Sequence, residues 1–322
     1  MFEARDWGEQ MQGHRQWSRL MAGAAVLGGA LLSGSVGCSN RAAVVAPVPD
    51  LAKVEEIRKA ISGGGSQESA ADAPAAQQPT GFATVRGRFL LEGAIPARVA
   101  LNIDKETEIC APGGKTVYSE SLVVDEATQG IRDVVLFADK VPAEWCHESA
   151  KPGSKTDPFV FDQKECVFLT HMAALQVSQP LKILNSDNTG HNTNMKPTKN
   201  PPMNALIPRE GVVWQPKAAE SQPFEANCSI HPWMSAWVLV RDNGYFAVTK
   251  PDGSFEIANL PAGVPVELKV WQEKSKFLGS VKLDEGSGEK PVTWKRGSYM
   301  VTLQPDEQRE IVVKVPASAF GG

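Results

Sequence analysis

Within seven residues the chain places a thiol, an imidazole and a thioether. They are Cys228, His231 and Met234, in the run Phe224-Glu225-Ala226-Asn227-Cys228-Ser229-Ile230-His231-Pro232-Trp233-Met234. Thiolate and thioether sulfurs are soft donors and imidazole suits copper. A trigonal set of two His and one Cys with a weak axial Met holds copper for one-electron transfer, which leaves one His to find. His191, in Asn185-Ser186-Asp187-Asn188-Thr189-Gly190-His191-Asn192, is the candidate. A Cys is commonly a small buried hydrophobe and a Met core filler, and zinc seldom takes thioether. All three donor types at this spacing, with a second His upstream, favour one mononuclear copper site.

Two strands must aim these groups. Residues 222–228 read as a short strand that ends at the Cys, and residues 236–241 as the next, rich in β-formers. The loop between them is tight and holds Pro232. Such a loop can turn three side chains toward one point while a packed sheet fixes the fourth ligand.

At this point the sequence resembles the cupredoxins. Cys-Ser-Ile-His-Pro-Trp-Met resembles the short ligand loop of amicyanins, and Gly190-His191-Asn192 resembles the His-Asn pair that carries the first ligand in amicyanins and plastocyanins. The resemblance covers about residues 118–241. It implies copper ligands His191, Cys228, His231 and Met234, with Asn192 and Ser229 tying the two ligand segments together. The Asn192 backbone N–H is expected on the Cys228 sulfur and its side chain on Ser229. On the carrier reading, one edge of the His231 ring is expected at the surface, in an apolar patch with Ile230, Pro232 and Trp233. Trp233 as simple core packing would instead bury the loop and favour a structural copper. The run from Asn192 to Gln222, with Met195, Pro197, Pro201, Pro202 and Met203, departs from a minimal cupredoxin by its length.

The whole chain also resembles multi-domain secreted proteins of the methylamine-utilisation-like type, in which a cupredoxin-like module sits beside a carboxypeptidase-regulatory-like sandwich. Tyr245 to Ile257 reads as strand, Pro251-Asp252-Gly253 turn and strand. Leu260-Pro261-Ala262-Gly263 reads as a further turn before Val266–Trp271. Asp-Gly-x-Phe followed by Leu-Pro-x-Gly is the signature of that small transthyretin-like module, and Gly81 to Gly93 resembles its first strand. Either the cupredoxin is inserted after that strand, which then pairs within residues 245–315, or two domains follow in series. Asp252 with Glu256 suggests calcium only weakly, since an Asp in a turn is common.

The expected fold is all-β, a cupredoxin-like Greek-key sandwich plus a smaller transthyretin-like sandwich. The remaining runs, Thr84–Leu91, Ser121–Val124, Val134–Ala138, Val167–Leu169, Leu175–Val177 and Leu181–Leu184, are short and bounded by turn residues. Gln129-Gly130 suits a hairpin turn and 150–158 a loop. A length of 322 residues suits about two domains. The boundaries are 82–117 for first strands of the second sandwich, 118–241 for the cupredoxin-like part and 242–322 for the rest.

Ahead of these, Arg15 and Arg19 precede an apolar run from Leu20 to Val36, the pattern of an export signal over residues 1–37. Ser35-Val36-Gly37-Cys38 resembles a bacterial lipobox and implies a lipid on Cys38. Residues 38–81, rich in Ala, Pro, Gly, Ser and Gln, read as a flexible tether. Leu51, Val54, Ile57 and Ile61 have the spacing of one short helix within it. The expected location is periplasmic or cell-surface, on a membrane through the lipid.

With Cys38 and Cys228 assigned, Cys110, Cys146 and Cys166 remain in an oxidising compartment. The family resemblance implies Cys110–Cys166, while Cys146–Cys166 would close a shorter loop. His171 and His147 read as structural. The net charge is −4 and no basic face or nucleic-acid motif stands out. Neither a nucleophile–base set nor further His-x-His pairs argue for an enzyme. Two classes remain. One is a copper electron carrier that meets a redox partner protein. The other is an envelope interaction protein whose copper is structural, stored or vestigial.

Overall fold

The computed structural model describes residues 50–63 and 77–321. The expected signal peptide, Cys38 and tether residues 64–76 lie outside them. The chain divides into two units, within residues 1–70 and 71–322. In the first, α1 (Leu51–Gly63) forms where the spacing predicted a short helix, and the Asp50 carboxylate caps it by accepting from the Ala52 and Lys53 N–H groups. Leu51, Val54 and Ile57 are exposed. Among the described residues no helix is long and apolar enough to cross a membrane.

The second unit is mainly β. It opens with β1 (Gly81–Glu92), a one-turn helix α2 (Thr107–Cys110) and β2 (Val135–Ala138). Nine strands follow: β3 (Phe159–Lys164), β4 (Val167–Phe168), β5 (Met172–Gln176), β6 (Leu181–Asn185), β7 (Asn192–Met195), β8 (Met203–Leu206), β9 (Val212–Trp214), β10 (Phe224–Asn227) and β11 (Ser235–Arg241). The last group is β12 (Phe246–Val248), β13 (Ser254–Ala262), β14 (Pro265–Gln272), β15 (Lys276–Phe277), β16 (Ser280–Asp284), β17 (Lys290–Thr293), β18 (Ser298–Thr302) and β19 (Gln308–Pro316).

The middle group makes two sheets, in the orders β5-β11-β10-β7-β8 and β4-β3-β6-β9, which enclose one apolar core. Phe161, Leu175, Ile183, Met195, Trp214, Val238 and Cys228 all belong to it. The long run after His191 is not irregular. It folds back as a β7–β8 hairpin with Met195 opposite Met203, then crosses to the other sheet as β9, paired with β6.

The flanking strands make the other two sheets, β13-β1-β19-β16-β17 and β12-β2-β14-β15 with β18 on β14, around a second core. Here β1 runs antiparallel to β13 and parallel to β19. A strand that precedes the middle group is therefore held by strands that follow it, as the inserted arrangement requires. The boundary expected at residue 118 does not hold, because β2 pairs with β12 and β14 and belongs to the flanking sandwich. Its apolar run is buried on both faces, so composition suited either sandwich. Ser121–Val124 is not a strand either. Only Val124 bridges Ile131, across a turn whose Asp125 accepts from the Thr128 N–H and hydroxyl.

The turn expected at Leu260–Gly263 is likewise displaced. Leu260, Pro261 and Ala262 lie within β13, and the chain turns at Gly263, whose φ is +79°. β13 is the edge strand of its sheet, where a proline without an N–H is tolerated. Pro251-Asp252-Gly253 is a turn as expected, and Gly253 is required there: its φ is +78° and a Cβ would lie 2.2 Å from the Phe89 carbonyl oxygen.

Period-two alternation shares side chains between cores. On β11, Ala236, Val238 and Val240 face the middle core, while Trp237 and Leu239 meet Trp271, Val135 and Phe137 of the flanking sandwich. Full burial of a side chain such as Phe137 contributes about 1.5–3 kcal/mol. Arg241, at the end of β11, stitches the join by donating to the Ala138, Asp139 and Glu220 carbonyls and lying over the Phe137 ring.

Candidate metal centre

Between β10 and β11 the loop from Cys228 to Met234 closes on itself. The Cys228 N–H donates to the Met234 carbonyl at 3.2 Å, and the Met234 N–H to the His231 carbonyl at 3.0 Å. This cinch turns Cys228, His231 and Met234 inward, and all three are buried. His191 arrives from the facing segment, one residue ahead of β7, and is also fully buried. The donor atoms of His191, Cys228 and His231 lie within 4.8 Å of one another. Met234 packs in the same core as Cys228.

The two imidazoles present the same face. Their Nδ1 atoms approach to 2.9 Å, and the His231 Nδ1 lies 3.8 Å from the Cys228 sulfur. Each Nε2 points outward to a carboxylate, His191 to Asp187 at 2.8 Å and His231 to Glu106 at 2.8 Å. Ionised carboxylates only accept, so each Nε2 carries a proton, and Nδ1 is the ring atom each histidine turns toward Cys228 and the other imidazole. Two ring nitrogens 2.9 Å apart beside a sulfur share one cation, a proton or a metal ion. The donor set therefore fits a metal ion, and its thiolate and thioether components fit copper.

The Asn192 side chain joins the two segments that carry His191 and Cys228. Its Oδ1 accepts from the Ser229 N–H at 2.8 Å and from the Cys228 thiol at 3.3 Å, and its Nδ2 donates to the Ser229 hydroxyl at 3.3 Å. Asn204 of β8 holds the same amide through its Oδ1 at 2.6 Å, so the long insertion buttresses the site.

Burial pushes the Cys228 thiol up. The His191 ring, the His231 and Asn192 backbones and the His231 ring outweigh it, bringing the thiol down from 9.0 to about 6. Burial likewise pulls the His191 imidazole down, but Cys228 and Asp187 more than compensate and leave it raised. The folded value of Cys228 lies below the unfolded one. Its stabilising contribution is thus complete above pH 9 and lost as pH falls through about 6. In the metal-free protein, thiolate ultraviolet absorbance, taken as the difference from Cys228→Ser, rises with a midpoint near pH 6. A midpoint near 9 would mean that the two histidines do not hold the thiolate.

One expectation fails. His231 is 0% exposed, so its ring does not reach the surface. Glu106 closes over its outer nitrogen, and Trp233 packs beside it with ring centroids 5.1 Å apart. Pro232 is exposed and Trp233 half-buried, with its indole N–H on the Cys166 carbonyl at 3.1 Å. Cys110 and Cys166 form a disulfide against this side of the site. Cys146 is a buried free thiol elsewhere. His171 lies apart from the cluster, with Nε2 on Glu273, and His147 contacts Ser149 and Phe82. Asp252 is occupied by Ser254 and Arg88.

Glu106, Asp187 and Thr189 were not singled out as site residues by the sequence. Asp187 sits four residues before His191, a spacing that was visible but carried no signal of its own. Glu106 had none beyond its nearness to Cys110.

No family profile matches the chain, and no curated protein matches it. Among solved structures, a reduced Cu(I) variant of amicyanin is 18% identical over 30% of this chain and 94% of its own, with a TM-score of 0.24. A second reduced amicyanin variant is 15% identical over 34% of this chain and 99% of its own, at 0.23. A copper-containing nitrite reductase from Thermus scotoductus is 16% identical over 26% of this chain and 22% of its own, at 0.22. These similarities are distant, and the functional reading rests on the site itself.

Proposed function

We propose that the protein binds one copper ion through His191, Cys228, His231 and Met234 and passes single electrons through it. The observation that carries the reading is the convergence of two imidazole Nδ1 atoms and one thiolate at a buried point, with both outer nitrogens fixed by carboxylates. Copper, when bound, supplies a one-electron couple. The chain's residues do the rest. Asn192 and the Cys228–Met234 cinch would hold the donors in place around the ion, and the apolar core around Cys228 would keep water away. A rigid, dry site keeps reorganisation small.

We read the nine-strand middle part as a cupredoxin-like sandwich, and the flanking part as transthyretin-like and carboxypeptidase-regulatory-like, the latter on the Asp252-Gly253-Ser254-Phe255 and Leu260-Pro261-Ala262-Gly263 motifs alone. Export, a lipid on Cys38, a periplasmic or cell-surface location and a redox partner protein are parts of the same proposal.

The covered His231 favours a second reading, in which copper is stored or structural. Copper titration separates the two. The carrier reading expects one equivalent to produce an intense visible thiolate-to-copper band that bleaches and returns over repeated reduction and oxidation. Copper that binds without that band, or cannot be cycled, supports storage.

A further inference from the structure

We infer that Glu106 is a positioning residue for the metal centre, presented by a disulfide-fastened collar that orients His231 and favours the oxidised ion. The inference rests on the copper reading above and adds to it a residue and a segment that lie outside the ligand loops.

The collar is continuous. Asp187 accepts from the His191 Nε2 and, on the same carboxylate, from the Glu165 and Cys166 N–H groups at 2.6 and 2.8 Å. Those two residues form the turn between β3 and β4, and both have left-handed backbones, with φ of 52° and 55°. Cys166 is bonded to Cys110, and Lys115 pairs with Glu165, so the segment around α2 is clamped to that turn. The segment then delivers Glu106 to the outer nitrogen of His231. The outer faces of both histidines are thus joined through one covalent link.

Glu106 itself is held against its preference. It has φ 51° and ψ 36°, a left-handed conformation that a non-glycine residue keeps only where its surroundings over-determine it. Its carbonyl accepts from the Ile109 and Cys110 N–H groups at 2.9 Å, and its Oε2 accepts from the Thr189 hydroxyl at 2.7 Å as well as from His231. Thr189 lies two residues before His191, so this carboxylate bridges the collar to both ligand segments.

A carboxylate on the far nitrogen of a ligating imidazole fixes its tautomer and raises its basicity. A more basic donor and a nearby negative charge stabilise the more highly charged ion, so the oxidised state gains more than the reduced one. The same carboxylate covers the ring edge, which removes His231 as a surface contact.

The test is Glu106→Gln in the full chain, which keeps the shape and an acceptor oxygen and removes the charge. Cu(II) affinity should fall about 10–100-fold with Cu(I) affinity less affected. The midpoint potential should rise by about 59 mV for each tenfold difference between the two. Glu108→Gln removes an equal charge from an exposed position two residues away, on α2, and should move neither quantity. Nitrogen NMR of metal-free wild-type protein should find His231 protonated at Nε2. An unchanged potential and Cu(II) affinity in Glu106→Gln, an equal shift in Glu108→Gln, or a His231 Nε2 that carries no proton overturns the inference. Wild-type protein that takes up no copper overturns the preceding reading instead, and the tautomer then decides the role of Glu106 alone.

Discussion

Copper added to a Cys228→Ser protein should give no intense visible band. The thiolate is the only soft anionic donor in the cluster, and it is buried, already drawn down to about pH 6 and within 3.8 Å of the His231 Nδ1. A hydroxyl there is a hard, un-ionised donor and cannot give charge transfer of that strength. The two imidazoles and Met234 remain, so copper can still bind, but weakly and with the spectrum of a nitrogen- and oxygen-ligated ion. The expected outcome is loss of essentially all the visible intensity, with affinity lower by orders of magnitude. Optical titration with paramagnetic resonance measures both. Full colour in the Ser variant would place the thiolate elsewhere, and Cys146 would be the thiol to examine.

Removing the Cys110–Cys166 bridge should have the largest effect on stability. The bonded residues are 56 apart in sequence, and closing a loop of that length corresponds to about 4 kcal/mol of denatured-chain entropy. Cys110 and Cys166 are both fully buried, so replacing the pair by Ser also places two hydroxyls in the apolar core and adds to the loss. Locally the effect is sharper, because the bridge fastens the segment that carries Glu106 over His231. Denaturant unfolding should show the midpoint of the double Ser variant, or of wild type held in a dithiol reductant, well below that of the oxidised protein. Copper should also dissociate faster from either. Equal unfolding midpoints would mean that the clamp contributes nothing to the fold.

The ligand loop was legible because its chemistry is local. Three donors in seven residues, between two β-rich runs, need no tertiary information, and His191 followed from the resemblance of Gly190-His191-Asn192 to the His-Asn pair of amicyanins and plastocyanins. The contact of Glu106 with His231 spans 125 residues and depends on a disulfide, so neither periodicity nor spacing could reveal it. The buried His231 edge follows from the same contact. Strand existence was more readable than sheet membership. Val135–Ala138 was visible as a strand, but all four residues are buried, and a strand covered on both faces does not declare which sandwich it joins. Pro261 suggested a turn because a proline usually breaks a ladder, and only its place on an edge strand makes it compatible with β13.

The central claim is that one copper ion is held by His191, Cys228, His231 and Met234. X-ray absorption at the copper edge, on protein loaded with a single equivalent, tests it most directly. The account predicts a first coordination sphere of two imidazole nitrogens and one short thiolate sulfur, with the thioether long and weak. A sphere made only of nitrogen and oxygen, or one that is unchanged when Cys228 is replaced by Ser, would contradict it.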